Sequence, residues 1–142
     1  MLVRVRDIMT EHIVTVEPTT PVNDVVSLLL RHGISGLPVV DEKGNLVGLV
    51  SEYDLLKNFS EKRPSNQPVS AYMNRELHTI SPEDSAAKIA SRFLAERYRR
   101  FPVVENGRLV GVVSRRDILR LIESVHSIQE VLSFTESEMA AS

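Results

Sequence analysis

The chain has 142 residues, 42% of them hydrophobic and 25% charged, with a formal net charge of −2, a balance that fits one small globular body and argues against general nucleic-acid binding. It contains no cysteine, which excludes disulfides and thiolate metal sites, and no apolar run approaches the ~20 residues of a membrane span. The start shows no signal-peptide pattern, so the expected location is cytoplasmic.

Taken in order, Val5 to Thr10 reads as a short helical lead-in and Ile13 to Val16 as a brief strand, broken by Pro18 and Pro21. Thr20 is placed as an N-cap with Pro21 in the first turn, and Val22, Val25, Val26, Leu29 and Leu30 form the stripe of an amphipathic helix that Gly33 ends. Leu37 to Val40 and Leu46 to Val50 read as a hairpin around Gly44-Asn45, and Tyr53 to Phe59 as a closing helix. Ser60 to Pro68 is polar and proline-punctuated, with 63–68 assigned as the linker. The plan then repeats, with Asp84 as cap and Ala86, Ile89, Ala90, Phe93 and Leu94 as stripe; Arg97 stands where the first copy has Gly33. Ile118, Leu121, Ile122, Val125, Ile128 and Leu132 carry the last helix toward residue 133, and the end from Thr135 is expected to fray.

The recurrence is visible residue by residue. Met9 matches Met73, Thr15 matches Thr79, Pro18 matches Pro82 and Pro38-Val39-Val40 matches Pro102-Val103-Val104, all at an offset of 64. After a loop one residue shorter, Gly48-Leu-Val-Ser-Glu-Tyr-Asp54 matches Gly111-Val-Val-Ser-Arg-Arg-Asp117 at an offset of 63. Each copy is therefore β-α-β-β-α, an α+β unit. A unit of roughly 60 residues buries only about 60% of its unfolded surface, so two copies packed together make the better core. The expected division is 1–62 for the first copy with its lead-in, 69–123 for the second, and 124–142 for a helical extension with an acidic tail.

Charge is unevenly spread: Lys88 to Arg120 holds nine Lys or Arg against three Asp or Glu, whereas Leu121 onward holds four Glu and no Lys or Arg. Within the basic segment, Gly111 to Asp117 runs a buried strand into a helix whose first turn carries Ser114, Arg115, Arg116 and Asp117. A helix N-terminus attracts anions, so a phosphate suits that end. A carboxylate does not suit phosphate, and Asp117 is better explained as an acceptor for neutral hydroxyls such as those of a ribose. The competing explanation is a capping box, since Ser-x-x-Asp satisfies its own backbone donors.

Two tandem copies, each with an Asp-Ile-Met-Thr or Ala-Tyr-Met-Asn lead-in, a Thr-Val or Thr-Ile strand, a Pro-Val-Val strand and a Gly-x-x-Ser-x-x-Asp close, resemble a CBS-domain pair over about residues 5 to 123. The resemblance implies a pseudo-twofold module packed through its sheets, two clefts between the copies, an adenosine ligand (AMP, ADP, ATP or S-adenosylmethionine) and further pairing into a homodimer. By that likeness Thr79 lies near the ligand, the segment Tyr98 to Pro102, with Arg99, Arg100, Phe101 and Pro102, lines the base, Ser114 and Arg116 meet phosphate beside the charge of Arg115, and Asp117 holds ribose; Thr15, Ile34 to Pro38 with Gly36, Leu37 and Pro38, Ser51 and Asp54 are the first-copy counterparts. In that first cleft Glu52 and Tyr53 replace the paired arginines, which sets a carboxylate against phosphate.

Nothing in the sequence makes an enzyme. His12, His32, His78 and His126 are scattered and form no metal-ligand spacing, no glycine-rich phosphate loop is present, and no catalytic cofactor is implied. The alternative to a nucleotide-binding module is a ligand-free one that dimerises or docks on a protein partner.

Overall fold

The computed structural model describes residues 2–60, 66–96 and 98–126. Residues 63–65 of the 63–68 linker, Arg97 and the predicted extension through Ile128 and Leu132 lie outside them. The first half holds α1 (Val5–Ile8), α2 (Val22–His32), β1 (Gly36–Val40), β2 (Leu46–Ser51) and α3 (Glu52–Ser60). The second holds a 3-10 turn (Val69–Ala71), α4 (Ala86–Glu96), β3 (Arg100–Glu105), β4 (Arg108–Ser114) and α5, helical over 115–126.

Each half contains one antiparallel hairpin, with the same irregularity in register after Val39 and after Val103. The turns differ as their lengths require. Asn106 and Gly107, at φ 54° and 82°, make a two-residue left-handed turn; the longer loop at 41–45 is held by Asp41 Oδ1, which accepts the N–H groups of Lys43 and Asn45 at 2.9 Å each. The expected strand at 13–16 shrinks to a single parallel bridge, Val16 beside Val39, and Ile80 beside Val103 repeats it. Pro18 and Pro82 turn the chain two residues later, before a ladder can extend.

Both helix starts sit one residue later than expected. Pro21 occupies the cap of α2 and Thr20 Oγ1 instead accepts the Glu17 N–H at 3.1 Å. Ser85 caps α4, its Oγ accepting the Lys88 N–H at 3.1 Å, while Asp84 accepts the N–H of Ser81 at 2.8 Å. Gly33 ends α2 in the left-handed conformation, φ 62°. The stripes are only partly buried: Val22, Val25 and Leu29 enter one core and Ala86, Ile89 and Phe93 the other, but Leu30 is 79% and Leu94 88% exposed.

The two cores are built by exchange. Val5 is wholly buried among Ile80, Ile89, Phe93, Phe101, Val103, Val113 and Ile118, all from the second half. Val69 and Met73 are buried among Val16, Val25, Leu29, Leu37, Val39 and Val50, all from the first. The main chain follows suit: Val5 N donates to Asp84 O at 2.8 Å and Thr10 exchanges two bonds with Val112, while Val69 N donates to Thr20 O at 2.8 Å and Asn74 exchanges two with Leu49. Arg4 and Arg6 both pair with Glu83 at the surface. The lead-in of each repeat thus closes the core of the other.

The two hairpins also touch each other. Asn45 bridges Arg108 near their turns, with Leu46 N donating to Gly107 O and Leu109 N to Gly44 O. At their open ends Arg100 Nη1 donates to Gly36 O at 3.2 Å.

Candidate functional site

Register brings the second-half residues together. Arg100 opens β3 directly opposite Ser114, which closes β4. Arg115 returns to the same place, its N–H donating to Arg99 O at 3.3 Å and its Nε to Tyr98 O at 3.0 Å. Because side chains alternate across a strand, Arg100 and Pro102 point away from the core that Phe101 and Val103 enter. The Arg100 contact with Gly36 marks that outer face as the one turned toward the other half. Thr79 is exposed and precedes Ile80, whose main chain pairs with β3 at Pro102 and Val104.

The first half repeats the arrangement. Gly36 faces Ser51 across its hairpin, Glu52 N donates to Ser35 O at 2.9 Å, and Thr15 is half-buried. At Gly36 a side chain cannot be accommodated, since a Cβ there comes within 2.9 Å of Val50 O. Pro38 is buried on the outer face and Leu37, 2% exposed, in the core. Leu37 and Phe101 therefore offer a ligand their main chain only. Phe101 lies wholly inside, stacked at an angle on Phe93 and Tyr98 with the Arg92 guanidinium 4.6 Å from its ring centre.

The capping box forms on the carboxylate that the sequence offers as an acceptor. Asp117 Oδ2 accepts the Ser114 N–H at 2.8 Å and the Ser114 hydroxyl at 3.1 Å, and the Asp117 N–H donates back to Ser114 Oγ at 3.3 Å. Asp54 and Ser51 form the same box, at 2.9, 2.9 and 3.3 Å. Among the described residues Asp117 is the buried polar one, 6% exposed, and it takes two further bonds on Oδ1, from Arg120 Nη1 at 2.9 Å and Thr10 Oγ1 at 3.3 Å. Sequence reasoning assigned no role to Thr10 or Arg120. The signal for Thr10 was present in its match to Asn74, a second short polar side chain after a lead-in methionine.

The arginines are unequal. Arg99, Arg115 and Arg116 are exposed and Arg100 is half-buried. Burial, reinforced by the positive charge of Arg99, holds the Arg100 guanidinium below its ordinary value. Among the described residues no carboxylate pairs with Arg100, whose one side-chain hydrogen bond goes to a carbonyl. Exposed guanidiniums suit an anion, whereas the Asp117 carboxylate, whose oxygens are engaged by Ser114, Thr10 and Arg120, takes a further hydroxyl only by exchange with one of them. Among the described residues no group of three or more His, Asp or Glu side chains is placed to hold a metal, and no helix is long and apolar enough to cross a membrane.

Known proteins of similar sequence and fold give this geometry a context. A-adding tRNA nucleotidyltransferase of Aquifex aeolicus is 36% identical over 84% of this chain, a stretch that is 14% of that enzyme. The chain spans less than half the length of two curated relatives it matches, 43% of one and 14% of the other. Among solved structures, CBSX2 in complex with AMP superposes with a TM-score of 0.78 at 30% identity, covering 87% of this chain and 98% of that one. The CBS domain pair of protein MJ0100, in complex with 5′-methylthioadenosine and S-adenosyl-L-methionine, gives 0.75 at 26% identity with the same coverage, 87% and 98%. The family profile described as CBS domain matches twice, at residues 5–61 and 69–124, the two copies read from the sequence. The chain belongs to the CBS-domain family, as a tandem pair.

Proposed function

We propose that this chain is a regulatory module that binds an adenosine nucleotide, AMP, ADP or ATP, in the cleft between its two repeats. The observation that carries the reading is Asp117, a buried carboxylate fixed at the mouth of a helix between exposed guanidiniums. In this reading Asp117 accepts the ribose hydroxyls, Ser114, Arg115 and Arg116 meet the phosphates, and Thr79 with the Arg99 to Pro102 segment borders the base. The AMP bound by CBSX2 and the S-adenosyl-L-methionine bound by protein MJ0100 support an adenosine ligand. At the first cleft, formed by Thr15, Gly36, Leu37, Pro38, Ser51 and Asp54, Glu52 opposes a phosphate and favours an uncharged head. The chain carries out no catalysis of its own and needs no catalytic cofactor.

Calorimetric titration with AMP, ADP, ATP and S-adenosylmethionine, paired with thermal melts, tests this. A nucleotide at a hundredfold excess over its Kd is expected to add about 2.7 kcal/mol of stability. Asp117→Ala is expected to remove most of that gain, and a melting curve that none of the four compounds moves overturns the reading.

A homodimer accompanies the proposal. Leu30, Leu56 and Phe59 in the first half, 79%, 67% and 83% exposed, match Leu94, Leu119 and Ile122 in the second, 88%, 61% and 57% exposed. They edge grooves between α2 and α3 and between α4 and α5. Two equivalent apolar faces on one chain suit a second copy of it.

A further inference from the structure

The two box carboxylates differ in their second oxygen. Asp54 Oδ1 has no hydrogen-bond partner among the described residues, and Lys57, which stands where Arg120 does in the other copy, forms no ion pair with it. Asp117 Oδ1 is taken by the Arg120 guanidinium at 2.9 Å and, at longer range, by the Thr10 hydroxyl at 3.3 Å. The two partners of the ion pair have different freedom. The Asp117 side chain is 5% exposed and anchored through Oδ2 to Ser114, whereas the Arg120 side chain is 69% exposed with no other bond among the described residues. An approaching ligand can move the arginine and not the acid.

We infer that Arg120 is a specificity-determining residue of the second cleft: it occupies the carboxylate oxygen that a ribose needs, and on displacement its guanidinium becomes a partner for the ligand's phosphate. The inference rests on the adenosine site proposed above. The arginine end of the pair lies in solvent, where a released guanidinium is rehydrated while the ligand's hydroxyls replace it on the acid, and a guanidinium fork pairs well with phosphate oxygens. An uncharged nucleoside must displace Arg120 and offers it nothing in return. A nucleotide makes the same displacement and gives the freed cation a new anion. The selectivity for phosphorylated over unphosphorylated adenosine thus comes from a competing internal contact as well as from the rim of fixed charge.

The test is calorimetry with adenosine and with AMP at one ionic strength, on the full chain and its Arg120→Ala variant, both carrying Asp54→Ala so that the second cleft alone titrates. Arg120→Ala is expected to bind adenosine roughly two- to fivefold more tightly and AMP several-fold more weakly, a change of opposite sign for the two ligands. Arg120→Lys, which keeps the charge and loses the fork, is expected to fall between, and circular dichroism verifies that each variant is folded. AMP binding with an unchanged ratio of the two affinities leaves the adenosine site standing and overturns the role of Arg120. Failure of both ligands to bind either protein removes the adenosine site itself, and this inference with it.

Discussion

Met9, in the lead-in of the first repeat, lies directly on Gly111 in β4 of the second, where a Cβ would stand 2.6 Å from the methionine sulfur and 3.0 Å from its Cγ. Met73 covers Gly48 in the same way, at 2.5 and 2.8 Å. The strand glycines are thus kept small for a thioether delivered from the other half. We predict that Gly111→Ala and Gly48→Ala each lower stability by about 1 to 3 kcal/mol through overpacking, read as a lower denaturation midpoint at unchanged m-value. Shortening the methionine relieves the clash, so Met9→Ala combined with Gly111→Ala is expected to lose less than the two single losses added. Strict additivity would show that the two residues do not meet.

The boxes allow a comparison within one molecule. Asp54 and Asp117 make the same cap, but only Asp117 is also bound by Thr10 and Arg120 and deeply buried. Asp117→Ala is therefore expected to destabilise the ligand-free chain by roughly 1.5 to 3 kcal/mol and Asp54→Ala by about 0.5 to 2 kcal/mol. Urea melts of the two variants check the order, and equal losses would mean that the Thr10 and Arg120 contacts contribute nothing.

Asp41 gives the chain a pH dependence at its acidic end. The N–H of Asn45 foremost, with the Asn45 side-chain amide, the Lys43 N–H and the Lys43 charge, holds its carboxyl below the ordinary carboxylate value against desolvation, the largest of the effects after the Asn45 N–H. A depressed folded value means that the charged form is favoured by folding. Its contribution is complete above the unfolded value near pH 4 and is lost as pH falls through the lower folded value. Between about pH 5 and pH 2.5 the wild-type chain is expected to lose more stability than Asp41→Asn, measured by denaturant midpoints across that range. Parallel curves would assign Asp41 no part in holding the hairpin.

The apolar helix faces make a prediction about assembly. Phe59→Glu with Leu94→Glu is expected to shift sedimentation of the chain from dimer to monomer. Both side chains are mostly exposed, 83% and 88%, so the isolated fold loses little by the change. A wild-type chain that sediments as a monomer at micromolar concentration would end the dimer proposal.

Much of this architecture was legible because its signals are local. The stripes of α2 and α4, the turn around Gly44-Asn45 and the Ser-x-x-Asp boxes each need only a few neighbouring residues to declare themselves, and the offset of 64 joined them into a repeat. What could not be read was which half each piece serves. Val5 to Thr10 has too little periodicity to name its partner, and Thr10 meets Asp117 from 107 residues away. The helix starts were misplaced by one for a different reason: Asp84 and Ser85 are both short acceptors, and only the backbone decides which of them the helix uses. The stripes on α2 and α4 were legible as apolar faces, but periodicity does not say which of their residues the same chain covers.

The exchanged lead-ins set the smallest piece of this molecule that can stand alone. A polypeptide holding one repeat with its own lead-in would present an apolar trough where the neighbour's valine and methionine belong, and a spare segment seeking a home. Two such fragments, made separately and mixed, have complementary deficits. Their recombination into a full module is what mutual lid-sharing requires, and it ties the fate of each half to the presence of the other.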